Sequence, residues 1–279
     1  MLYKEYSGFS VDNRSDGICI ITLNRPATFN GFDWSVKRDL IESMTQLAYD
    51  DNSRVVIFTG GDNFSAGDNF GRQSADIWGA AKSQPVTRER HDSLSTYSSL
   101  RTISQAVNRA VRNLDKLTIA AIDGYAIQSG LSLALACDFR IATPRAKLGS
   151  ATLRMGYLPD EGGHFLLVQL LGPSRTKDFL FRKRIVGGEE ALAIGLVNEV
   201  VEPASLMPRA LEFAAELADG PQVAMRLLKH AIDNAADMTF EQACMDIAVR
   251  TAISDHHPDA KEGAAAFREK PRRKPVFNQ

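Results

Sequence analysis

The chain has 279 residues and a formal net charge of -1, and 44% of its residues are hydrophobic and 24% charged. These proportions are ordinary for a globular protein with a sizeable core, and the charge gives no overall attraction to nucleic acid or to a membrane surface. The three cysteines, Cys19, Cys137 and Cys244, are odd in number and lie in apolar runs. We therefore expect buried free thiols, without a disulfide framework or a zinc site.

No targeting or membrane-spanning segment is evident in the sequence. The segment at the amino terminus lacks the apolar centre of a signal peptide, and no apolar run approaches the length that crosses a bilayer. We expect a soluble protein of the cytoplasm.

Residues 1–202 alternate between strand and helix patterns. Buried strands are predicted at 18–26, 54–61 and 118–126, since each run is rich in apolar residues. The first run ends at Pro26 and the second at a glycine pair. A helix is predicted over 33–51, with Asp33 as its cap and an apolar stripe formed by Val36, Leu40, Met44 and Leu47. A polar, glycine-bearing segment follows residue 61 and leads to a helix that ends near residue 115.

The same alternation continues toward the carboxyl terminus. A small-residue helix is predicted over 129–138, and two short strands follow it. The next helix covers 162–172 and is closed by Gly172, and a strand, a helix and a strand follow over 184–201. Four amphipathic helices come after Pro203. The predicted fold class is α/β, with a core over residues 1–202 and a helical region over residues 203–279.

Two predicted strands end in turns built from small residues. The segments VVIFTGGDNFSAGDNF and IAAIDGYAIQSGLSLALACD each run from a strand into such a turn, and the second turn enters a helix. Backbone N–H groups at these turns lack helical partners, and two that converge could hold an oxyanion. Tight packing of a strand on a helix also selects small residues, so the turns alone leave both interpretations open.

Two adjacent acids stand out in the segment MGYLPDEGGHFLL, residues 155–167. Asp160 and Glu161 lie between a proline and a glycine pair, at the start of an apolar helix. They could cap that helix and favour its amino-terminal dipole. Alternatively, one of them is a catalytic carboxylate whose pKa is raised by burial beside Leu158, Pro159 and Phe165.

The ordered segments LNRPATFN, FSAGDNF, DGYAIQSGLSLALACDFRIAT, MGYLPDEGG, GLVNEVV and EGAAAFREK resemble the crotonase superfamily of enoyl-CoA hydratases and isomerases. The resemblance covers nearly the whole chain. It implies a spiral of ββα turns and a helical region that assembles homotrimers or dimers of trimers. It also implies an acyl-CoA thioester substrate of fatty acid metabolism, held by the N–H groups of Asp68 and Ser129, with Asp68 directly after the pair Ala66 and Gly67. No metal or redox cofactor is implied, because coenzyme A is part of the substrate.

The sequence departs from the hydratases of that family at both catalytic glutamates. Their positions are occupied by Ser132 and Thr152, so addition of water by two glutamates is not expected. Asp160 matches an aspartate of some isomerases in the family, and Glu161 lies at the variable position beside it. Double-bond isomerisation with Asp160 as the base is therefore favoured, with Glu161 in reserve. A hydratase, hydrolase or lyase using either acid, and a CoA-thioester-binding paralogue without catalysis, remain alternatives.

The resemblance also assigns residues to the CoA moiety. Arg25 matches a position near the phosphates, and Phe267 and Lys270 are expected at the adenine of CoA bound by a neighbouring subunit. Phe70, Trp78 and Tyr97 are interpreted as pocket wall. His164 is interpreted as a core residue. The basic carboxyl-terminal tail carries no stacking motif, so neither nucleic acid nor a membrane is expected as a partner.

Overall fold

A computed structural model describes residues 5–69, 92–150 and 152–278. Within these residues the strands are β1 (Phe9–Asn13), β2 (Ile18–Leu23), β3 (Val55–Thr59), β4 (Leu117–Ile122), β5 (Tyr125–Ile127), β6 (Phe139–Ala142), β7 (Lys147–Gly149), β8 (Ile185–Gly187) and β9 (Glu199–Val200). The α-helices are α1 (Trp34–Ala48), α2 (Ser93–Ser99), α3 (Gln105–Arg112), α4 (Ser129–Ala136), α5 (Gly163–Phe181), α6 (Gly188–Ala193), α7 (Leu206–Ala218), α8 (Gln222–Ala235), α9 (Phe240–Ser254) and α10 (Pro258–Arg268). A π-helical segment, Leu100–Ser104, joins α2 to α3.

The framework is a six-stranded sheet in the order β1-β2-β3-β4-β6-β9. Only β1 is antiparallel to its neighbour, and the other pairs are parallel. Every residue of β3 and β4 is buried, as expected for central parallel strands covered on both faces. These are the continuous apolar runs that the sequence predicts as buried strands.

The two faces of the sheet bury alternate residues of the same strand. Val56 and Phe58 of β3 pack in the larger core with the apolar residues of α1, α3 and α4. Val55 and Ile57 face the other way and pack against α7. The alternation follows from the two-residue period of a strand. Helix α7 lies beyond residue 203, so the predicted C-terminal region begins with a helix that covers the sheet.

A second sheet has three strands in the order β5-β7-β8. The single strand predicted over 118–126 is divided between the two sheets, because the chain turns at Gly124. Gly124 has φ +53°, and a Cβ there would lie 2.2 Å from the carbonyl oxygen of Asp62. Only glycine satisfies both conditions, and the turn lets β5 leave the first sheet and carry the chain toward α4.

Three further predictions need correction. The helix predicted to close at Gly172 breaks there, with φ 71° and ψ 167°, but resumes with Pro173 and ends at Phe181. Proline fits this restart because the first turn of a helix needs no N–H from it. His164 is exposed, not a core residue, and Cys244 is exposed, unlike the buried Cys19 and Cys137. None of the described helices is both long and apolar enough to cross a membrane.

Candidate active site

The two small-residue turns are in direct contact. Ser65 N donates to Tyr125 O at 2.6 Å, and Ile127 N donates to Ser65 O at 2.9 Å. Gly67 has φ +93°, and a Cβ on it would lie 2.8 Å from Ile127 O. A Cβ on Gly130 would lie 2.4 Å from Ser65 O. The glycines are therefore required where the two backbones meet, as their close packing demands.

The contact leaves two backbone donors without partners. Asn69 N donates to Phe32 O, and Gln128 N donates to Gly149 O, each at 2.9 Å. Asp68 precedes Asn69 and Ser129 follows Gln128 in the chain. The N–H groups of Asp68 and Ser129 have no acceptor among residues 5–69, 92–150 and 152–278. Ser129 is the first residue of α4, where an N–H has no helical partner. The two N–H groups that the family resemblance assigns to the oxyanion hole are thus both unpaired within the part of the chain that the structure describes.

The backbone before Ser129 is strained. Gln128 has φ 52° and ψ −111°, a conformation that glycine adopts readily and other residues rarely do. Such strain costs on the order of 1–3 kcal/mol and is concentrated at functional sites. Its position, immediately before one of the two unpaired donors, agrees with a role for this turn in orienting Ser129.

The segment with the two acids is held from α3. Gln105 Nε2 donates to Asp160 O, and Asn108 Nδ2 donates to Glu161 O, each at 2.9 Å. Helix α5 begins after Gly162, its N-cap residue, which has φ 88°. Neither acid occupies the cap position itself, and a contribution of Asp160 to capping stays a prediction. The expected burial of Asp160 beside Leu158 is wrong, because Leu158 is 71% exposed.

The two acids differ in burial. Asp160 is half-buried, whereas Glu161 is only 5% exposed. Both line a small cavity of about 10 Å³ together with Ser132. Ser132 also lies against Gly163, where a Cβ would be 2.6 Å from Ser132 Oγ. Thr152, at the other glutamate position, is buried but does not line this cavity. The acids thus lie beside Ser132, the position that the family resemblance assigns to a hydratase glutamate.

A buried lysine joins Glu161 to the first of the two turns. Lys37 Nζ lies 2.7 Å from Glu161 Oε1 and 2.7 Å from Asp68 Oδ1. It also donates to Ser104 Oγ at 3.0 Å, and Ser129 Oγ donates to Asp68 Oδ1 at 2.7 Å. These five residues form the Lys37 cluster. Both proposed oxyanion donors therefore belong, through their side chains, to one polar network with Glu161.

The charges of the cluster determine which carboxylate holds a proton. Burial raises the pKa of Glu161 to about 7; the Lys37 ammonium opposes this rise, and the Asp68 carboxylate adds to it. Burial by itself would lower the pKa of Lys37, but the two carboxylates outweigh it and the pKa is raised. Glu161 Oε2 is buried and has no hydrogen-bond partner among the described residues. Glu161 therefore combines a titration near neutral pH with one oxygen free to accept a proton.

Lys37 and Ser104 were not identified as site residues from the sequence. A signal was present, because Lys37 lies on the same helical stripe as Leu40, Met44 and Leu47, all of which are buried. A lysine at a core-facing position requires a buried partner. Ser104 is the last residue of the π-helical segment, a local geometry that the sequence pattern did not indicate and that is frequent at functional sites.

The residues that the resemblance assigns to CoA are not members of the Lys37 cluster. Arg25 Nη1 pairs with Asp33 Oδ2 at 2.5 Å. Phe267 is 65% exposed, with the Arg272 guanidinium 4.1 Å from its ring centroid, and Lys270 is exposed. Their contact with CoA stays a prediction. Phe70 and Trp78 lie outside the described residues, and Tyr97 is 62% exposed.

Comparison with known sequences identifies the family. The sequence profile of the enoyl-CoA hydratase/isomerase family matches residues 13–279. The chain belongs to the enoyl-CoA hydratase/isomerase family. This family member is 33% identical over 270 residues to the carnitinyl-CoA dehydratase of Escherichia coli strain K12, covering 95% of this chain and 96% of that protein. It is 29% identical over 257 residues to the crotonyl-CoA hydratase of Syntrophomonas wolfei, covering 92% and 94%.

Solved structures of the enoyl-CoA hydratase/isomerase family have the same architecture. The crystal structure of an enoyl-CoA hydratase from Bacillus anthracis matches with a TM-score of 0.85 at 28% identity, covering 97% of this chain and 99% of that one. The resemblance to the crotonase superfamily and the predicted α/β, crotonase-like fold with a helical C-terminal region are thereby confirmed.

Proposed function

We propose that this enoyl-CoA hydratase/isomerase family member binds an acyl-CoA thioester and isomerises a double bond through an enolate. The observation that carries the proposal is the shared cavity of Ser132, Asp160 and Glu161. The glutamate that would assist water addition is absent from α4, and carboxylates from a different segment lie beside its position. The names of the crotonyl-CoA hydratase and carnitinyl-CoA dehydratase support a CoA thioester as the substrate class.

The two small-residue turns stabilise the negative charge of the enolate. The N–H groups of Asp68 and Ser129 donate to the thioester oxygen, where negative charge develops when the substrate enolises. Each such donor contributes about 3–4 kcal/mol to stabilising that charge. Both groups are unpaired among the described residues, so donating to the substrate oxygen would break no hydrogen bond within that part of the chain.

A carboxylate carries the proton between two carbons. For a 3-enoyl thioester, the base removes a proton from C2, and the electrons of that bond form the enolate, with its charge on the thioester oxygen. Return of the charge forms the C2–C3 double bond, and the former C3–C4 π electrons take the proton at C4. The acyl chain is thereby isomerised with no net gain or loss of atoms.

Glu161 is the carboxylate best suited to this transfer. It is buried, its pKa is about 7, and its Oε2 has no partner among the described residues. A base with a pKa near the working pH is the most effective. Asp160 is the alternative, because the family resemblance places an isomerase aspartate there.

The test offers the protein a panel of 2-enoyl and 3-enoyl thioesters of CoA as substrates. Turnover of each is measured as a change in absorbance at the enoyl-thioester band. Glu161→Gln should cut turnover by at least roughly a hundredfold and leave acyl-CoA affinity within a few-fold. Asp160→Asn is the matched control and should cost far less. The opposite order would identify Asp160 as the base.

A hydratase is the second candidate, and the size of the cavity favours it. A volume of about 10 Å³ is close to the space that one water molecule needs. Conversion of a 2-enoyl thioester to a product without that absorbance, with uptake of water shown by mass spectrometry, would support hydration. Binding of acyl-CoA by calorimetry without turnover of any panel member would instead indicate a non-catalytic paralogue.

A further inference from the structure

We propose that Lys37 is a positioning residue that couples the protonation of Glu161 to the oxyanion turn, which is the turn after β3 that carries Asp68. This inference rests on the proposed function of Glu161 and of the two backbone donors. It goes further by giving a role in the reaction to a side chain that touches no substrate. Lys37 would act through the two carboxylates that it holds.

The first support is the placement of the ammonium. The Lys37 side chain is 4% exposed and contacts Glu161 Oε1 and Asp68 Oδ1 at 2.7 Å each. These partners come from two separate segments, Glu161 from the segment before α5 and Asp68 from the turn after β3. The third contact, with Ser104 Oγ at 3.0 Å, holds the ammonium from the π-helical segment. Lys37 thus links the acid to the turn through direct contacts with both carboxylates.

The second support is the charge on Asp68. This residue offers its N–H to the thioester oxygen but also carries a carboxylate in the same turn. An uncompensated carboxylate would repel the negative charge that develops on that oxygen, and water screens this repulsion only in part because the Asp68 side chain is 28% exposed. Lys37 and the Ser129 hydroxyl hold the carboxylate at 2.7 Å each. The ammonium therefore keeps the oxyanion turn electrostatically favourable.

The third support is the count of charges around Glu161. One ammonium serves two carboxylates, so the trio has a net charge of -1 when both are ionised and is neutral when Glu161 is protonated. Lys37 and Asp68 are the charged side chains facing Glu161 among the described residues, and Asp160 is its neighbour in the chain. Gln105 and Asn108 bind only backbone oxygens. Removing Lys37 should therefore favour the protonated acid.

A purely structural ion pair would behave differently. It would lower the melting temperature when broken and leave the pH dependence of the reaction unchanged. Lys229 offers the matched control, because its ammonium is also buried and lies 3.0 Å from Asp138 Oδ2, with 3% of its side chain exposed. Lys229 lines none of the small cavity beside Glu161.

The experiment compares Lys37→Met, Lys229→Met and the double variant Lys37→Met/Asp68→Asn. Lys37→Met should move the acidic limb of the kcat/KM profile by about one pH unit or more to higher pH, and lower kcat by at least about tenfold. Acyl-CoA affinity should stay within a few-fold. The double variant should recover part of the lost kcat, because the uncompensated carboxylate is gone. Lys229→Met should change thermal stability alone.

A second measurement needs no turnover. The side-chain carboxyl of Glu161 is followed by ¹³C NMR in labelled protein without ligand, and Glu161→Gln assigns its signal. Its titration should move to higher pH in Lys37→Met and to lower pH in Asp68→Asn, which removes a neighbouring negative charge. If Lys37→Met does not fold, Asp68→Asn carries this test.

The outcomes are distinguishable. An unchanged titration and an unchanged pH profile would overturn the role of Lys37. If the wild-type protein turned over no acyl-CoA, the proposed function would fail, whereas the NMR titration would still decide whether Lys37 sets the protonation of Glu161. A loss of kcat in Lys37→Met that Asp68→Asn deepens, with no recovery, would also overturn the proposed compensation.

Discussion

At the scale of single residues, Glu161 makes the stability of the folded protein depend on pH. Burial raises its pKa from 4.5 to about 7, so the folded state holds a proton that the unfolded state has already released above about pH 4.5. The contribution of Glu161 is fully present below that pH and is lost as the pH rises through about 7.

Glu161→Gln removes this dependence, because the amide does not titrate. Between pH 5 and pH 8 the wild-type protein should lose stability relative to the variant by on the order of 1–3 kcal/mol. The measurement is a series of denaturant melts of both proteins across that range. A difference that stays constant with pH would contradict the raised pKa.

Gly67 is a second residue with a specific conformational demand. It combines φ +93° with only 2.8 Å between a hypothetical Cβ and Ile127 O. Gly67→Ala should destabilise the fold by on the order of 1–3 kcal/mol, through strain and through displacement of a backbone. It should also lower kcat, since the neighbouring N–H of Asp68 would move.

Gly61→Ala is the control for that prediction. Gly61 also has a positive φ, +64°, but a Cβ there would meet nothing within 4 Å. Its cost should be limited to backbone strain, and enzyme activity should be retained. Denaturant melts and kcat for the two variants separate strain from the clash. Equal losses of activity in both would argue against a role for the contact between the two turns.

At the scale of elements, periodicity predicts most of the fold. The apolar runs of β2, β3 and β4 are typical of buried strands, and the apolar stripe of α1 has helical spacing. The division at Gly124 is absent from the predicted strand, although Asp123 and Gly124 interrupt the apolar run and form a turn-favouring pair. The close approach of Asp62 O that requires glycine at this position comes from a distant segment. The Lys37 cluster could not be predicted from the sequence, because its residues come from five separate segments that meet only in the folded protein.

Helix α1 connects these elements to the site through its first turn. Asp33 Oδ1 accepts from Val36 N at 3.1 Å, and its other oxygen pairs with Arg25. Asp33→Ala removes both contacts and should destabilise the protein by about 1–2 kcal/mol or more.

Asp33→Asn retains a good cap but loses the ion pair, so it should cost less than Asp33→Ala. Thermal melts of the two variants give the comparison. An equal cost for both would assign the stabilisation to Arg25, and no cost for either would contradict the cap. Because Lys37 lies one turn further along α1, Asp33→Ala should also lower activity more than Asp33→Asn.

At the scale of the whole molecule, the C-terminal helices expose a large apolar surface. The exposed large apolar side chains of α8 and α9 are Leu228 at 50%, Ile232 at 64%, Phe240 at 80%, Met245 at 70%, Ile247 at 39%, Val249 at 61% and Ile253 at 54%. Single exposed apolar residues are normal, but seven on two helices that contact each other are typical of an interface. The trimer or dimer of trimers stays a prediction that this surface supports.

Light scattering at micromolar concentration should give a mass that is a multiple of three chains. Met245→Glu together with Val249→Asp should lower that mass, because burying unpaired carboxylates in an interface is costly. The matched control is Glu189→Lys on α6, in the first turn of a helix outside this surface. A monomeric wild-type protein would refute the prediction.

The Lys37 cluster also has a consequence for the order in which the chain folds. Lys37 and Glu161 are 124 positions apart in the chain, and the network between them uses residues of three further segments. Until the segments between residues 37 and 161 have condensed, the ammonium remains hydrated and the loops that it closes are entropically costly. Helices can form from local contacts before that point. The capacity for catalysis should therefore be acquired late, after the helices that carry the site residues have formed.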